Sequence, residues 1–325
     1  MEKADKKETM IFGMSKNVFM KKYGIVFILL LMIVFMSIVS PTFRKPGNVV
    51  SILQQVSVNG VLALGMVFVI TAGGIDLSIG SMLALTSVVI GIVFDYSESI
   101  LLCVIASTVI CSLFGLLNGV LIAGMNMFPF VVTLATQLVI RGVGYVLCDG
   151  RTKTLTNKNF RQIGLGKFAD VIPYSVLILL LVAIAAYIMM HWTKFGRYVY
   201  ATGGNKAAAI ASGINVFKVQ VLTYVWMGFC SAVAGIILTS RINAAQANIG
   251  VAYETDAIAA CVIGGTSFAG GVATIPGTVI GIAIIGIIYN GMNLLGISSY
   301  LQTITKGLLI IGAVMLDMAM NKRKN

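Results

Sequence analysis

Apolar residues in this chain come in runs of about 17–25, parted by short polar interruptions. A run of that length crosses the ~30 Å hydrocarbon core of a bilayer as one helix. The runs fall near 23–40, 52–72, 78–95, 99–124, 127–148, 172–191, 218–240, 253–271, 275–293 and 299–317. Ten runs predict an all-α, polytopic membrane bundle of about ten transmembrane helices with both chain ends on one side. Residues 1–22 and 318–325 read as tails to a single membrane unit over 23–317. Two connections exceed hairpin length, 149–171 and 192–217. Others, as at Gly124–Met127 and Gly271–Thr274, are minimal and force neighbouring helices antiparallel.

One run is interrupted by chemistry that lipid does not tolerate. Between Gly65 and Ser81 the apolar pattern is broken by Gly73 and Gly74, the carboxylate of Asp76 and the hydroxyl of Ser78, then resumes at Ile79. Breaking a helix frees backbone N–H and C=O groups, which persist at membrane depth only where protein or a water-filled cavity surrounds them. An Asp near the middle of a span adds about 2.5–3.5 kcal/mol to insertion. The segment reads as part of a solute pathway or its gate, or else as a short cytoplasmic turn in which Asp76 caps the next helix. Residues 262–271 echo it, with Gly264, Gly265, Thr266 and Ser267 between apolar stretches. Paired Gly-interrupted helices in two related halves are a pointer to a translocation site. Small residues serving close helix packing give the same pattern.

The longer connection 192–217 has its own signals. Gly203, Gly204 and Asn205 supply a turn and a helix start, Lys206 to Ala211 is Ala-rich, and Gly213 is a natural C-cap. The expected product is a short helix lying along the membrane, suited to the groove of a cytoplasmic partner or to the interface alone.

Composition confirms the class and orients the chain. Hydrophobic residues make up 58% of 325 and charged residues 10%, against about 45–50% and 25% in soluble domains, and mean hydropathy is +0.97. The net charge of +12 is distributed as topology and not as a nucleic-acid surface. Thirteen basic residues fall before the first run, in 192–218 and at the C-terminus, against eight in the connections on the other side. The excess predicts cytoplasmic termini, a cytoplasmic 192–217 and an external 149–171. Cys103, Cys111, Cys148, Cys230 and Cys261 have no metal or disulfide spacing. The first run is too long for a signal-peptide core and lacks a small-residue cleavage site, so it reads as an uncleaved span.

Taken together, Gly196–Ile214, the Gly73–Gly80 break, Tyr253–Gly271 and Gly291–Tyr300 resemble the permease subunits of bacterial ABC importers for monosaccharides, most of all those for ribose. The likeness runs from about Asn48 to Asp317. It does not cover the Lys-rich N-terminal tail, and Cys261 departs from an otherwise matching run. The resemblance implies a chain in the bacterial cytoplasmic (inner) membrane that works beside a second permease copy. A separate ATP-binding subunit would dock on the loop carrying Gly196, Arg197, Gly203, Gly204, Asn205, Ala207, Ala208, Ser212 and Gly213. A sugar-binding protein would dock on the external face, and a monosaccharide would pass by alternating access. The residues agree with that division: no G-x-x-x-x-G-K-[ST] phosphate loop occurs, so the chain lacks the usual ATP cradle. No catalytic, cofactor or metal site is expected.

Several polar residues stay open on the sequence alone. Glu254 and Asp256 open the eighth run, either as carboxylates favoured by a helix N-terminus or as external gate residues. Asn118, Asn126 and Gln137 suit a path for sugar hydroxyls or hydrogen bonds between helices. Arg141 either snorkels or pairs with a carboxylate, and His191 beside Trp192 reads as an interfacial residue. The rival function is an ion-coupled secondary transporter with Asp76 as its proton or cation site. A membrane enzyme has no clustered His, Cys or carboxylates to support it.

Overall fold

A computed structural model describes residues 10–11 and 14–322, and residues 1–22 only by backbone where it describes them at all. The chain runs through α1 (Lys16–Val39), α2 (Pro46–Thr71), α3 (Ile79–Tyr96), α4 (Ile100–Gly124), α5 (Pro129–Leu147), α6 (Lys158–Leu165), α7 (Tyr174–Trp192), α8 (Lys194–Gly204), α9 (Lys206–Ala211), α10 (Val216–Ile242), α11 (Tyr253–Ile263), α12 (Ile275–Leu294) and α13 (Ser299–Lys322). All ten predicted runs contain a helix. Among the described residues, seven of these helices (α2, α3, α4, α5, α7, α10 and α12) are long and apolar enough to cross a membrane. Helix α1 begins at Lys16 and α13 continues to Lys322, so helix extends beyond the apolar run at both ends. The basic side chains of both tails lie outside the described residues.

Helix α2 is apolar on every side, and from Val56 to Thr71 every residue is buried, as expected of a helix enclosed by others. It packs on α10, α12, α7 and α11, while α10 also lies against α4 and α3. The outward faces of α4, α5 and α7 carry exposed Leu101, Leu116, Leu138 and Leu181, the surface a bilayer covers. Between α4 and α10 the backbones themselves meet. A Cβ at Gly115 would strike the Tyr224 carbonyl, one at Gly119 the Val221 backbone, and one at Gly228 the Cys111 carbonyl. Without a hydrophobic drive between helices in lipid, such close approach is what holds a pair together.

The predicted eighth span, 253–271, is corrected. Helix α11 stops at Ile263 and residues 264–274 form an irregular loop, so Gly271–Thr274 is the end of that loop and not a hairpin. The missing length lies on the other side. After α10 the chain is irregular through 243–252, with turns at 247–248 and 251–252, and its one two-residue strand, Ala244–Ala245, pairs with Lys153–Thr154. Ala245 sits beside Gly91 and Gly250 beside Gly80, so this segment descends eleven residues of α3, about 16 Å at 1.5 Å per residue. In place of a full helix, the eighth run is thus an irregular segment followed by a short helix.

The α4–α10 contact yields the first prediction. Gly115→Ala should cost about 1–3 kcal/mol of overpacking and so lower the melting temperature of the purified protein, because the added methyl meets backbone that does not swing away. Gly312→Ala on α13, where a Cβ meets nothing within 4 Å, should be neutral or slightly stabilising. Equal melting curves for both variants would contradict the close approach.

Candidate functional site

The Gly73–Ser78 interruption begins with a helix cap. At the end of α2 the Gly73 N–H donates to the Ile70 carbonyl and the Gly74 N–H to the Val69 carbonyl, each at 2.9 Å, with Gly73 at φ +83°. This is a Schellman cap, which needs a left-handed residue best supplied by glycine. The chain then turns through Asp76, whose Oδ1 accepts from the Ser78 N–H at 2.8 Å and the Ser78 hydroxyl at 2.6 Å. Asn118 Nδ2 donates to Ser78 Oγ at 3.0 Å, and the Tyr224 hydroxyl donates to the Ile75 carbonyl at 3.1 Å. Asn118 lies six residues before the end of α4, and Tyr224 eight residues into α10. The turn is therefore about 9–12 Å inside that end of the bundle. Asp76 and Ser78 are fully buried.

The second glycine segment ends α11 in the same way. The Gly265 N–H donates to the Val262 carbonyl and the Thr266 N–H to the Cys261 carbonyl, each at 2.9 Å, with Gly265 at φ +90°. A Cβ at Gly264 would collide with the backbone of Gly277 on α12. Thr266 and Ser267 are buried, and the Ser267 N–H donates to the Val272 carbonyl at 3.0 Å, closing the loop on itself.

These two capped ends meet. The Gly271 N–H donates to the Thr71 carbonyl at 2.9 Å. The last turn of α8 lies against the junction, so that a Cβ at Gly203 would overlap the Thr71 carbonyl and crowd the Gly271 nitrogen. Cβ atoms at Gly270 and Gly271 would in turn press on the Gly203 and Gly204 backbone. Three segments distant in sequence thus touch backbone to backbone. Beside them is a cleft of about 320 Å³, bordered by Ala72, Gly73, Asn126, Asn205, Lys206 and Gln220.

The 192–217 connection is more helical than the sequence suggested. Gly196, Arg197, Gly203 and Gly204 all belong to α8, and only Asn205 separates it from α9. Thr193, Asn205 and Asn215 cap three successive helices, accepting from the N–H groups of Gly196, Ala208 and Lys218. Gly213, at φ +79°, closes α9 with a third cap of the Schellman type. Ala207, Ala208, Ile210, Ala211 and Ser212 face outward.

The remaining candidates scatter. Asn118 is committed to Ser78, a bond between helices. Glu254 and Asp256 do open a helix, but that helix starts inside the bundle after the irregular segment, so they do not sit at an external rim. The Asp256 carboxylate accepts from the Tyr289 hydroxyl at 2.8 Å and pairs with Lys306 at 3.0 Å. Among the described residues Arg141 has no ion pair within 4 Å, and it does not snorkel: its Nη1 donates to the carbonyls of Ala247 and Ile249, each at 2.6 Å. Sequence reasoning missed Tyr224, Tyr289 and Lys306. Of these only Lys306 left a signal, as a charge inside an apolar run.

The junction is tested by neighbouring glycines. Gly203→Ala should cost at least about 1–3 kcal/mol of crowding and impair transport. Gly204→Ala, whose Cβ meets nothing within 4 Å, should leave transport near the unsubstituted level. Measured solute uptake and melting temperature that do not separate the pair would dismiss the contact.

Comparison with known proteins places the chain. A family profile described as branched-chain amino acid transport system / permease component matches residues 48–315. The ribose import permease protein of Bacillus subtilis is 44% identical over 300 residues, covering 92% of this chain and 93% of that protein. The ribose import permease protein of Haemophilus influenzae is 42% identical over 98% of this chain and 99% of its own length. The L-arabinose transport system permease protein of Escherichia coli is 33% identical over 93% and 92% respectively. No solved structure matches. The chain belongs to the family of permease components of the branched-chain amino acid transport system type.

Proposed function

We infer that this chain is the membrane-spanning subunit of an ATP-driven importer for a neutral monosaccharide, ribose or a close analogue. The similarity to ribose and arabinose permeases over nearly full length supports the substrate class. The basic-residue excess supports cytoplasmic termini, which puts α8, α9 and both capped ends at the cytoplasmic side. The basic connection 149–171 then faces outward, toward a sugar-binding protein.

The observation that carries the mechanism is the backbone contact of Gly203 with Thr71 and Gly271. Helix α9 offers a small apolar face, capped at both ends, to a cytoplasmic ATP-binding subunit. Displacement of α9 passes through α8 to the ends of α2 and α11 without intervening flexible side chains. Carrying a two-state pathway from 1:99 to 99:1 takes about 5.5 kcal/mol of differential interaction. With no phosphate loop of its own, the chain draws that from the partner's nucleotide cycle. A second copy of the permease completes the pathway, and alternation of the two ends delivers sugar inward. The ion-coupled alternative is disfavoured, because the similarity is to import permeases.

Ala208→Arg places a charge on the exposed face of α9 without disturbing its caps. Expected is an intact, folded permease whose sugar-stimulated ATPase and uptake fall at least about tenfold, the effect of ~1.4 kcal/mol or more at the docking contact. Full assembly with unsubstituted coupling would move the docking site elsewhere.

A further inference from the structure

The glycine breaks lie at one end of the bundle, and the middle of the pathway needs another wall. Between α5 and α13 the structure leaves a face that is not made of apolar helix. Its floor is the irregular segment 244–252 and the first turn of α11. Ala245, Ala247 and Gly250 are buried, while Asn248 and Val251 are exposed. Ser87 on α3 accepts from the Gln246 N–H at 3.2 Å, and Arg141 holds the Ala247 and Ile249 carbonyls. The adjoining stretch of α3, Ile79–Gly91, is buried throughout, so this segment lies at membrane depth.

Irregular backbone at that depth does not face lipid, and survives only buried in protein or lining water. The side chains around it agree. Arg141 and Lys306 both lie within electrostatic reach of Glu254, close to Asp256. Two cations and two carboxylates thus border one face, a composition that hydrocarbon penalises. Gln137 lies four residues before Arg141, on the same side of α5.

We propose that this face, centred on Asn248 and flanked by Gln137 and Arg141, is the wall of the aqueous sugar pathway. Arg141 is a positioning residue that fixes the irregular segment. Asn248 offers an amide to sugar hydroxyls. The inference rests on the transport reading for the identity of the solute, but the accessibility it requires is independent of any ATPase partner.

The test is cysteine accessibility in full-length permease in native membranes, with the half-buried Cys148 replaced by Ser. Asn248→Cys and Val251→Cys are compared with Ile105→Cys on the exposed apolar face of α4. A charged methanethiosulfonate should label positions 248 and 251 at least about tenfold faster than 105, since charged reagents do not enter hydrocarbon. A lipid-soluble maleimide should reach all three, and ribose at saturating concentration should slow labelling at 248. Labelling at 248 and 251 as slow as at 105, or their reaction only with the lipid-soluble reagent, would assign the face to lipid and overturn the proposal. So would a cross-link from 248 to 248 of a second copy without water access, which would make it a dry dimer contact. Sugar uptake by the unsubstituted protein is the separate test of the transport reading.

Discussion

The structure depends on one constraint: backbone polar groups inside a bilayer must find partners within the protein. Regular helices meet it automatically, and most of the bundle is regular helix. The informative places are those where the helix stops. Each is closed by a specific device: the glycine caps at Gly73 and Gly265, the Asp76–Ser78 turn with Tyr224 and Asn118 bonded to it, and Ser87 and Arg141 along 244–252. Interrupted helices are tolerable here because partners arrive from other segments.

The same devices explain the distribution of rigidity. Caps leave the ends of α2 and α11 well defined, and glycines let the last turn of α8 seat directly on them. A contact made by backbone transmits displacement better than one made by rotamer-rich side chains, because packed elements have few alternative arrangements. In the proposed importer this lets a short surface helix influence the depth of the bundle. Asp256, paired with Lys306 and Tyr289, ties α11 to α12 and α13. Breaking a buried pair leaves an uncompensated charge, so the rest of α11 is anchored while its end touches the junction.

How much was legible in the sequence follows from where partners lie. The helices within the ten runs show in hydropathy, because a helix that crosses a membrane needs an apolar run. Caps show because Gly73, Gly265 and Gly213 are local chemistry. The irregular segment before α11 does not show: Ala244–Gly250 has neither an apolar run nor strict alternation, and Arg141 lies more than a hundred residues away. The Lys306–Asp256 pair is intermediate. The loops and tails hold thirteen and eight of the 23 basic residues, and the two left over, Arg141 and Lys306, both lie inside spans. That remainder points to intramembrane carboxylates, but not to which helix supplies them.

The central claim is that α9, the capped end of α2 and the 264–274 loop move as one body. Pulsed electron paramagnetic resonance on the complex with its ATP-binding subunit addresses it directly, with spin labels at exposed Ala211 and Ala269 and a second pair at Ala211 and Met125. Between nucleotide-free and ATP-trapped states, the Ala211–Ala269 distance should stay constant while Ala211–Met125 changes. A shift in Ala211–Ala269 with Ala211–Met125 fixed would show that the junction slips, and would contradict transmission through the Gly203 contact.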